Sequence, residues 1–353
     1  MKTNTKVLIC YNSPVSIFSI YSGNPEEKNS NLKDLSEKGF SNEIEKIRKS
    51  LQAKFKEVTC LAINGNVRET IFQINKNNPD IIFNFVECVE GIASYEYCIA
   101  GLYELLGFNY TGNIPSCLGN CLNKERTKNI LRSFGIPTPK SLIIHSSRKI
   151  DEKSFNLKFP VILKLLNEDA SIGISEHSVV KNFKDVKNRL KFLFKTYKQD
   201  VIAEEFIEGR ELNAAILGNK ILPISEIMFN GLPEDLPKIV TYDSKWIEES
   251  VYYKNTKPNC PAKISDNVKK KVEQTTLAAF QAMNCRDYAR VDIRLNKNNI
   301  PYVIEVNPNP DISIDSGFAR AAAAEGFSHT DLLFTIANFA LARKLNDTKN
   351  KAS

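Results

Sequence analysis

At 353 residues the chain is longer than one ordinary hydrophobic core supports, so two or three domains are expected. Its composition, 42% hydrophobic and 25% charged without a low-complexity tract, is that of a folded globular protein, and no apolar run approaches the roughly 20 residues of a membrane span. The net charge of +7 comes from 48 basic and 41 acidic side chains. The basic residues are scattered, however, and the charge excess suits a small anionic ligand as well as a nucleic acid.

The first third alternates strand and helix signals. Val7 to Cys10 reads as a buried strand, ended by Asn12-Ser13-Pro14; a signal peptide is not expected, and a cytoplasmic location is. Ile44, Ile47, Leu51 and Phe55 lie at helical spacing, with Ser41 the expected N-cap. Val58 to Ile63 is a second strand, Val67 to Ile74 a second helix, Ile81 to Val86 a third strand, and Ser94 to Leu106 a helix closed by Gly107. This βαβαβ order implies an α/β domain with a parallel sheet covered by helices on both faces. No Gly-x-Gly-x-x-Gly follows the first strand, so a dinucleotide site is not expected.

Thr111-Gly112-Asn113-Ile114-Pro115 marks a boundary. A helix near Lys124 to Phe134 follows, ended by Gly135-Ile136-Pro137-Thr138-Pro139. Strands are expected at Ser141 to Ile144, Val161 to Leu165 and Val201 to Ala203. Between the last two, residues 181–198 place Phe183, Val186, Leu190, Leu193 and Phe194 on one helical face, so the lysines there are a wetted surface and no nucleic-acid platform. This is a small α+β module. The remainder is strand-rich and ends in a helix from Asp331 to Leu345. The expected domains are 1–118, 119–205 and 206–353.

Eight cysteines, Cys10, Cys60, Cys88, Cys98, Cys117, Cys121, Cys260 and Cys285, form no Cys-x-x-Cys pair. His145, His177 and His329 show no ligand spacing. Reduced structural thiols are therefore expected in place of zinc, and a His-based triad is not.

The clearest local signal lies between Tyr288 and Asn307. Arg290-Val291-Asp292-Ile293-Arg294-Leu295 and Val303-Ile304-Glu305-Val306-Asn307 both alternate with period two, with Asn298-Asn299 as a tight turn. A turn centred there pairs residues whose numbers sum to 597. Asp292 then faces Glu305 and Arg290 faces Asn307, while Val291, Ile293, Ile304 and Val306 belong to a core. Two facing carboxylates repel. A magnesium ion held by Asp292, Glu305 and the Asn307 amide removes that cost. The competing reading is a solvated hairpin on which Arg290 and Arg294 neutralise both acids.

Two further segments carry weaker signals. Lys164 closes the apolar run from Phe159 and precedes the loop Asn167 to Ser175, where a lysine and loop N–H groups can hold a phosphate; a solvent-facing lysine is the alternative. Val201-Ile202-Ala203 runs into Glu204-Glu205-Phe206-Ile207-Glu208-Gly209-Arg210-Glu211, which offers backbone groups to an adenine edge and a carboxylate to ribose, or else is an acidic surface turn.

Together these segments resemble the ATP-grasp superfamily and, within it, the D-alanine–D-alanine ligase family. The resemblance is carried by Glu87 to Gly112, Asn123-Lys124, Gly135 to Pro139, Lys164, Ser171-Ile172-Gly173, Glu204 to Glu211, Tyr242-Asp243-Ser244-Lys245-Trp246, Arg290-Val291-Asp292 and Glu305-Val306-Asn307. It implies an ATP-grasp fold behind an N-terminal Rossmann-like domain, with ATP between two α+β lobes. By position it makes Lys124 and Lys164 phosphate ligands beside Ser171, Glu204, Glu205 and Ile207 the adenine hinge, and Glu211 the ribose ligand. Asp292, Glu305 and Asn307 become ligands of two magnesium ions (manganese can substitute), Arg290 the oxyanion stabiliser and Lys245 the γ-phosphate lysine of a closing loop. The implied reaction joins small-molecule carboxylate and amine substrates through an acyl phosphate, and the implied assembly is a homodimer.

The departures cluster where substrates would bind. After the first strand the family has a Gly-Gly turn and a Ser-x-Glu segment; here the chain reads Tyr11-Asn12-Ser13-Pro14-Val15-Ser16. Ala170 replaces a phosphate-loop hydroxyl and Trp246 a tyrosine. The family's His-containing stretch becomes Phe83-Asn84-Phe85-Val86-Glu87. Its Thr-x-Pro-Gly becomes Pro308-Asn309-Pro310-Asp311-Ile312-Ser313. A substrate pair other than D-alanine with D-alanine is expected. Transfer of the acyl phosphate to another nucleophile, or a nucleotide-binding relative without turnover, are the alternatives.

Overall fold

The computed structural model describes residues 2–13, 35–148, 150–168 and 171–351, with side chains left aside at 35–41 and 344–351. The chain opens with β1 (Thr3–Asn12), α1 (Leu35–Gln52), β2 (Phe55–Ile63), α2 (Val67–Asn77), β3 (Ile81–Phe85), α3 (Tyr95–Leu105) and α4 (Pro115–Leu122). The three strands form a parallel sheet in the order β2-β1-β3. Because side chains alternate along β1, Val7 and Ile9 pack with Ile44, Ile47 and Leu51 on one face, while Leu8 and Cys10 meet Ile74, Ile99 and Tyr103 on the other. Both faces are covered, as the uninterrupted apolar run foretells.

Three expectations shift here. Helix α1 starts at Leu35, so Ser41 lies inside it and is not its cap, and Phe55 opens β2 while still filling the core beneath α1. Helix α4 is absent from the sequence reading: Pro115 stands in its first turn and Gly119 near its middle, which masks the periodicity of its buried Cys117, Leu118, Cys121 and Leu122.

The second part comprises α5 (Lys124–Ser133), β4 (Ser141–Ile144), β5 (Val161–Leu165), β6 (Val179–Val180), α6 (Phe183–Tyr197) and β7 (Val201–Glu205). Its antiparallel sheet runs β4-β7-β5-β6, and the apolar face of α6, with Val186, Leu190 and Leu193, covers Leu163 and Ala203. Strand β7 extends two residues beyond its apolar run, which draws Glu204 into the buried sheet.

The third part holds β8 (Gly209–Leu217), β9 (Lys220–Ile221), β10 (Ser225–Met228), α7 (Asp243–Trp246), α8 (Val251–Asn255), β11 (Lys257–Asn259), α9 (Asp266–Ala282), β12 (Tyr288–Asn296), β13 (Pro301–Asn307), α10 (Gly317–Ala324) and α11 (His329–Lys351). Its sheet runs β11-β10-β8-β12-β13, with β9 paired to β8. One face, with Leu212, Ala214, Val291, Ile293 and Val306, packs on Val268, Val272 and Ala279 of α9. On the other, Ala215, Leu217 and Tyr288 join a core with Phe318 and Leu332, and the remainder is polar and lines a cleft. No helix among the described residues is long and apolar enough to cross a membrane.

Candidate active site

The polar cleft face is built by register. Strand β12 lies between β8 and β13, and Asp292 pairs with Asn213 on one side and Glu305 on the other, while Arg290 pairs with Asn307. The expected pairing at the site is therefore present, although two features set it that the tight-turn reading omits. The hairpin tip is a three-residue loop, Lys297 to Asn299, in which Asn299 takes a left-handed conformation (φ 56°) and Asn296 and Ile300 close the strands. That loop pairs Ile293 with Val303, one residue away from expectation, and a bulge at Ile304 restores the offset before Asp292 and Glu305. The bulge reverses one assignment: Val303 is the core residue, fully buried, and Ile304 lines the cleft.

Asp292 is held from three directions. Arg290 chelates it through Nε and Nη2 at 2.7 and 2.9 Å, Asn213 Nδ2 donates at 2.6 Å, and Asn307 Nδ2 donates at 3.0 Å. Glu305 Oε1 lies 3.7 Å from Lys124 Nζ. The acids thus share one face as expected, each beside a cation. Arg294 is elsewhere: it pairs with Glu211 at 2.8 Å and donates to the carbonyls of Ile207, Lys238 and Gly209. Burial pushes its pKa down, against the pull of Glu211.

The hinge around β7 is tied by buried charge. Glu204, 1% exposed, lies between Lys128 Nζ at 3.2 Å and Lys164 Nζ at 3.0 Å. Burial alone would raise its pKa, but the two lysines outweigh burial and hold the carboxyl below its ordinary value. Lys128 also donates to Ile304 O at 3.2 Å, linking the bulge to the hinge. Glu205 turns away and accepts from Lys158 N. Gly209 is required by the crossing: its φ is +143°, and a Cβ there would meet Leu295 O at 2.0 Å. Burial raises the pKa of Glu211, and neighbouring Asp292 adds to it, while Arg294 opposes both. Neither Lys128 nor Asn213 is singled out by sequence pattern, and Arg294 is assigned there to the hairpin acids and not to Glu211, because each needs a partner far along the chain.

All twelve expected site residues line one cleft of about 2050 Å³. Among them are Ser171, at φ 63°, and Lys245, exposed in α7. Their loops are joined by Tyr242 N donating to Ile174 O at 3.0 Å. Ala170 lies outside the described residues, as do Pro14, Val15 and Ser16.

Beyond Asn307 the chain is occupied by its own architecture. Asn309 accepts from Asn113 N at 3.1 Å and donates to Glu96 at 3.0 Å, and a Cβ on Gly112 would strike it at 2.4 Å. Asp311 accepts from Ser313 N and Oγ, and Ser316 caps α10.

A model of the D-Ala–D-Ala ligase C-terminal domain matches residues 130–338, more than half of the chain. The chain belongs to the D-alanine–D-alanine ligase family. Among the relatives of this ligase family, an uncharacterised protein, y4sG, of Sinorhizobium fredii is 32% identical over 263 residues, 74% of this chain and 75% of that protein. A D-alanine–D-alanine ligase of Nitrosospira multiformis is 31% identical over 242 residues, 69% of this chain and 74% of its own. The fold is shared with the D-alanine–D-alanine ligase of Bacillus anthracis complexed with ATP, at TM-score 0.71 and 22% identity over 97% of this chain and 99% of that one. It is shared too with a D-Ala:D-Ser ligase of Enterococcus faecalis, at TM-score 0.67 and 18% identity, covering 96% and 100%. The mixed α/β architecture with its parallel three-stranded sheet is thus the ATP-grasp fold of this family.

Proposed function

We propose that the chain is an ATP-dependent carboxylate–amine ligase of the acid–amino-acid type, working through an acyl phosphate. The observation that most supports this is the meeting of Asp292 and Glu305 across one strand pair, in the same cleft as the buried Lys164–Glu204 hinge. Carboxylates and amide oxygens are the hard donors that magnesium takes, and Asp292, Glu305 and the amide oxygens of Asn307 and neighbouring Asn213 supply these, so the residues fit two such ions. Bound there, magnesium would neutralise charge on the triphosphate.

Each remaining role follows from placement. Lys164 is fixed by Glu204 at a strand end, pointing with Lys124 into the cleft, and suits phosphate together with Ser171. Glu204 is already shared by two lysines and Glu205 is turned to Lys158, so their side chains shape the adenine hinge and the Ile207 N–H is left to meet the base. Arg294 takes Oε2 of Glu211 and orients that carboxylate for ribose. A substrate carboxylate oxygen attacks the γ-phosphorus and ADP leaves. An amine then attacks the acyl carbon, phosphate departs, and the amine gives up a proton. Arg290 faces the negative charge growing on that carbon's oxygen, a contribution of about 3 kcal/mol in comparable sites. The loop of Lys245 closes over the phosphate and keeps water out.

The acceptor and donor are, in this reading, an amino acid or small peptide and not D-alanine twice, because Pro308 to Ser313 are spent on internal contacts. Domains at 1–118, 119–205 and 206–353, a cytoplasmic location and a homodimer complete the proposal. The test is ADP formation across a library of amino acids and small acids, with mass spectrometry of the product. The expected result is turnover with a restricted pair and background phosphate release with D-alanine. Robust D-alanyl-D-alanine formation would overturn the substrate reading.

A further inference from the structure

Cys117 and Cys121 stand one turn apart on α4, on the face that packs into the third part of the chain. Cys285, in the connection from α9 to β12, meets them there. The three sulfurs lie within 4.8 Å of one another, and Cys117 Sγ and Cys285 Sγ are 3.5 Å apart. We propose that this trio is a binding site for a thiophilic closed-shell metal ion, such as Cu(I) or Zn(II), held by three thiolates.

The geometry carries the assignment. Three sulfurs at about 2.3 Å from a common ion lie about 4.0 Å from each other in a trigonal plane, so the observed triangle needs only small side-chain adjustments. Thiols packed merely as small hydrophobes have no reason to face one another when isoleucine and alanine side chains surround them. Soft sulfur ligands select soft ions over magnesium, which separates this site chemically from the oxygen-lined cleft. Coordination sends each thiol proton to solvent, and beside the trio Asn113 Oδ1 accepts from both the Arg286 backbone N–H and Cys117.

The ion would clamp two segments 168 residues apart in sequence. Cys285 precedes β12, the strand of Arg290 and Asp292, and Asn113 before α4 donates to Tyr288 O at 2.9 Å. Binding at the trio therefore stiffens the base of the strand that carries the cleft's acids.

The test uses the full chain, purified reduced, titrated with Cd(II) and separately with Cu(I) under anaerobic conditions. The expected result is one equivalent bound with a thiolate-to-metal charge-transfer band, a rise in Tm, and a cadmium-113 resonance in the range of three sulfur ligands. Cys117→Ser should abolish the band, whereas the exposed Cys98→Ser should leave it. The cadmium resonance needs no variant, so misfolding of Cys117→Ser does not blunt the test. Absence of the band in the wild-type chain, a resonance of one or two sulfurs, or an intact mass two daltons light from a Cys117–Cys285 disulfide would each overturn the proposal.

Discussion

The two ends of the cleft are built differently. At the end proposed to take the nucleotide, charged side chains on strands and on α5 satisfy one another: Glu204 with Lys128 and Lys164, Arg294 with Glu211 across the sheet, and Asp292 with Arg290 along β12. At the far end, Asp311, Ser313 and Ser316 stand on a loop and a helix start and satisfy one another and nearby backbone, while Asn309 bridges Asn113 N and Glu96. Buried, mutually paired charge tolerates little change, because removing one member strands the other. Loop residues that hold only local turns can be exchanged freely.

The largest effect is expected at Glu305, a proposed metal ligand. Glu305→Gln should lower magnesium-dependent turnover at least a hundredfold while far-UV circular dichroism and Tm stay near wild type; unchanged kinetics would mean the acids serve only the hairpin. Arg294→Ala strands Glu211 and three carbonyls, and chemical denaturation should show a loss of about 3–5 kcal/mol together with a raised KM for ATP. A loss near zero would show that the hinge stands without its buried arginine.

A smaller effect concerns pH. The lysines hold Glu204 below its ordinary 4.5, so its carboxylate contributes stability above that pH, and the contribution is lost as acid drives the pH down through the folded value. Glu204→Gln lacks the contribution at every pH, and its stability should fall less steeply than wild type below about 4.5 in acid titration followed by fluorescence. Parallel curves would remove Glu204 from the account. Smallest is Asn309→Ala, which removes one hydrogen bond from Glu96 and one from Asn113 N: a several-fold rise in KM for the amine substrate is expected, with KM for ATP unmoved.

How far the sequence reaches follows the same division. The period-two runs of β12 and β13 reveal which side chains share the cleft, and the uninterrupted apolar run of β1 reveals a doubly covered sheet. The register at Asp292 and Glu305 was legible only because a longer tip loop and a bulge at Ile304 offset one another; the exchange of Val303 for Ile304 in the core marks where the simple pattern fails. Helix α4 was hidden by Pro115 and Gly119, and with it the meeting of Cys117 and Cys121 with Cys285. Lys128 reads as a solvated lysine until β7 and β13 are folded against it. Pattern reports faces within an element. It cannot report partners that tertiary packing brings from elsewhere.

The bidentate grip of Arg290 on Asp292 is where metal binding at this hairpin would be seen. If this hairpin is the metal-bearing floor of an ATP site, a crystal grown with a non-hydrolysable ATP analogue and Mn(II) will show anomalous density beside Asp292, Glu305 and Asn307, with Arg290 drawn off Asp292 toward the acyl site. A triphosphate seated in the cleft with no metal at those residues, and with the arginine still chelating Asp292, would contradict it.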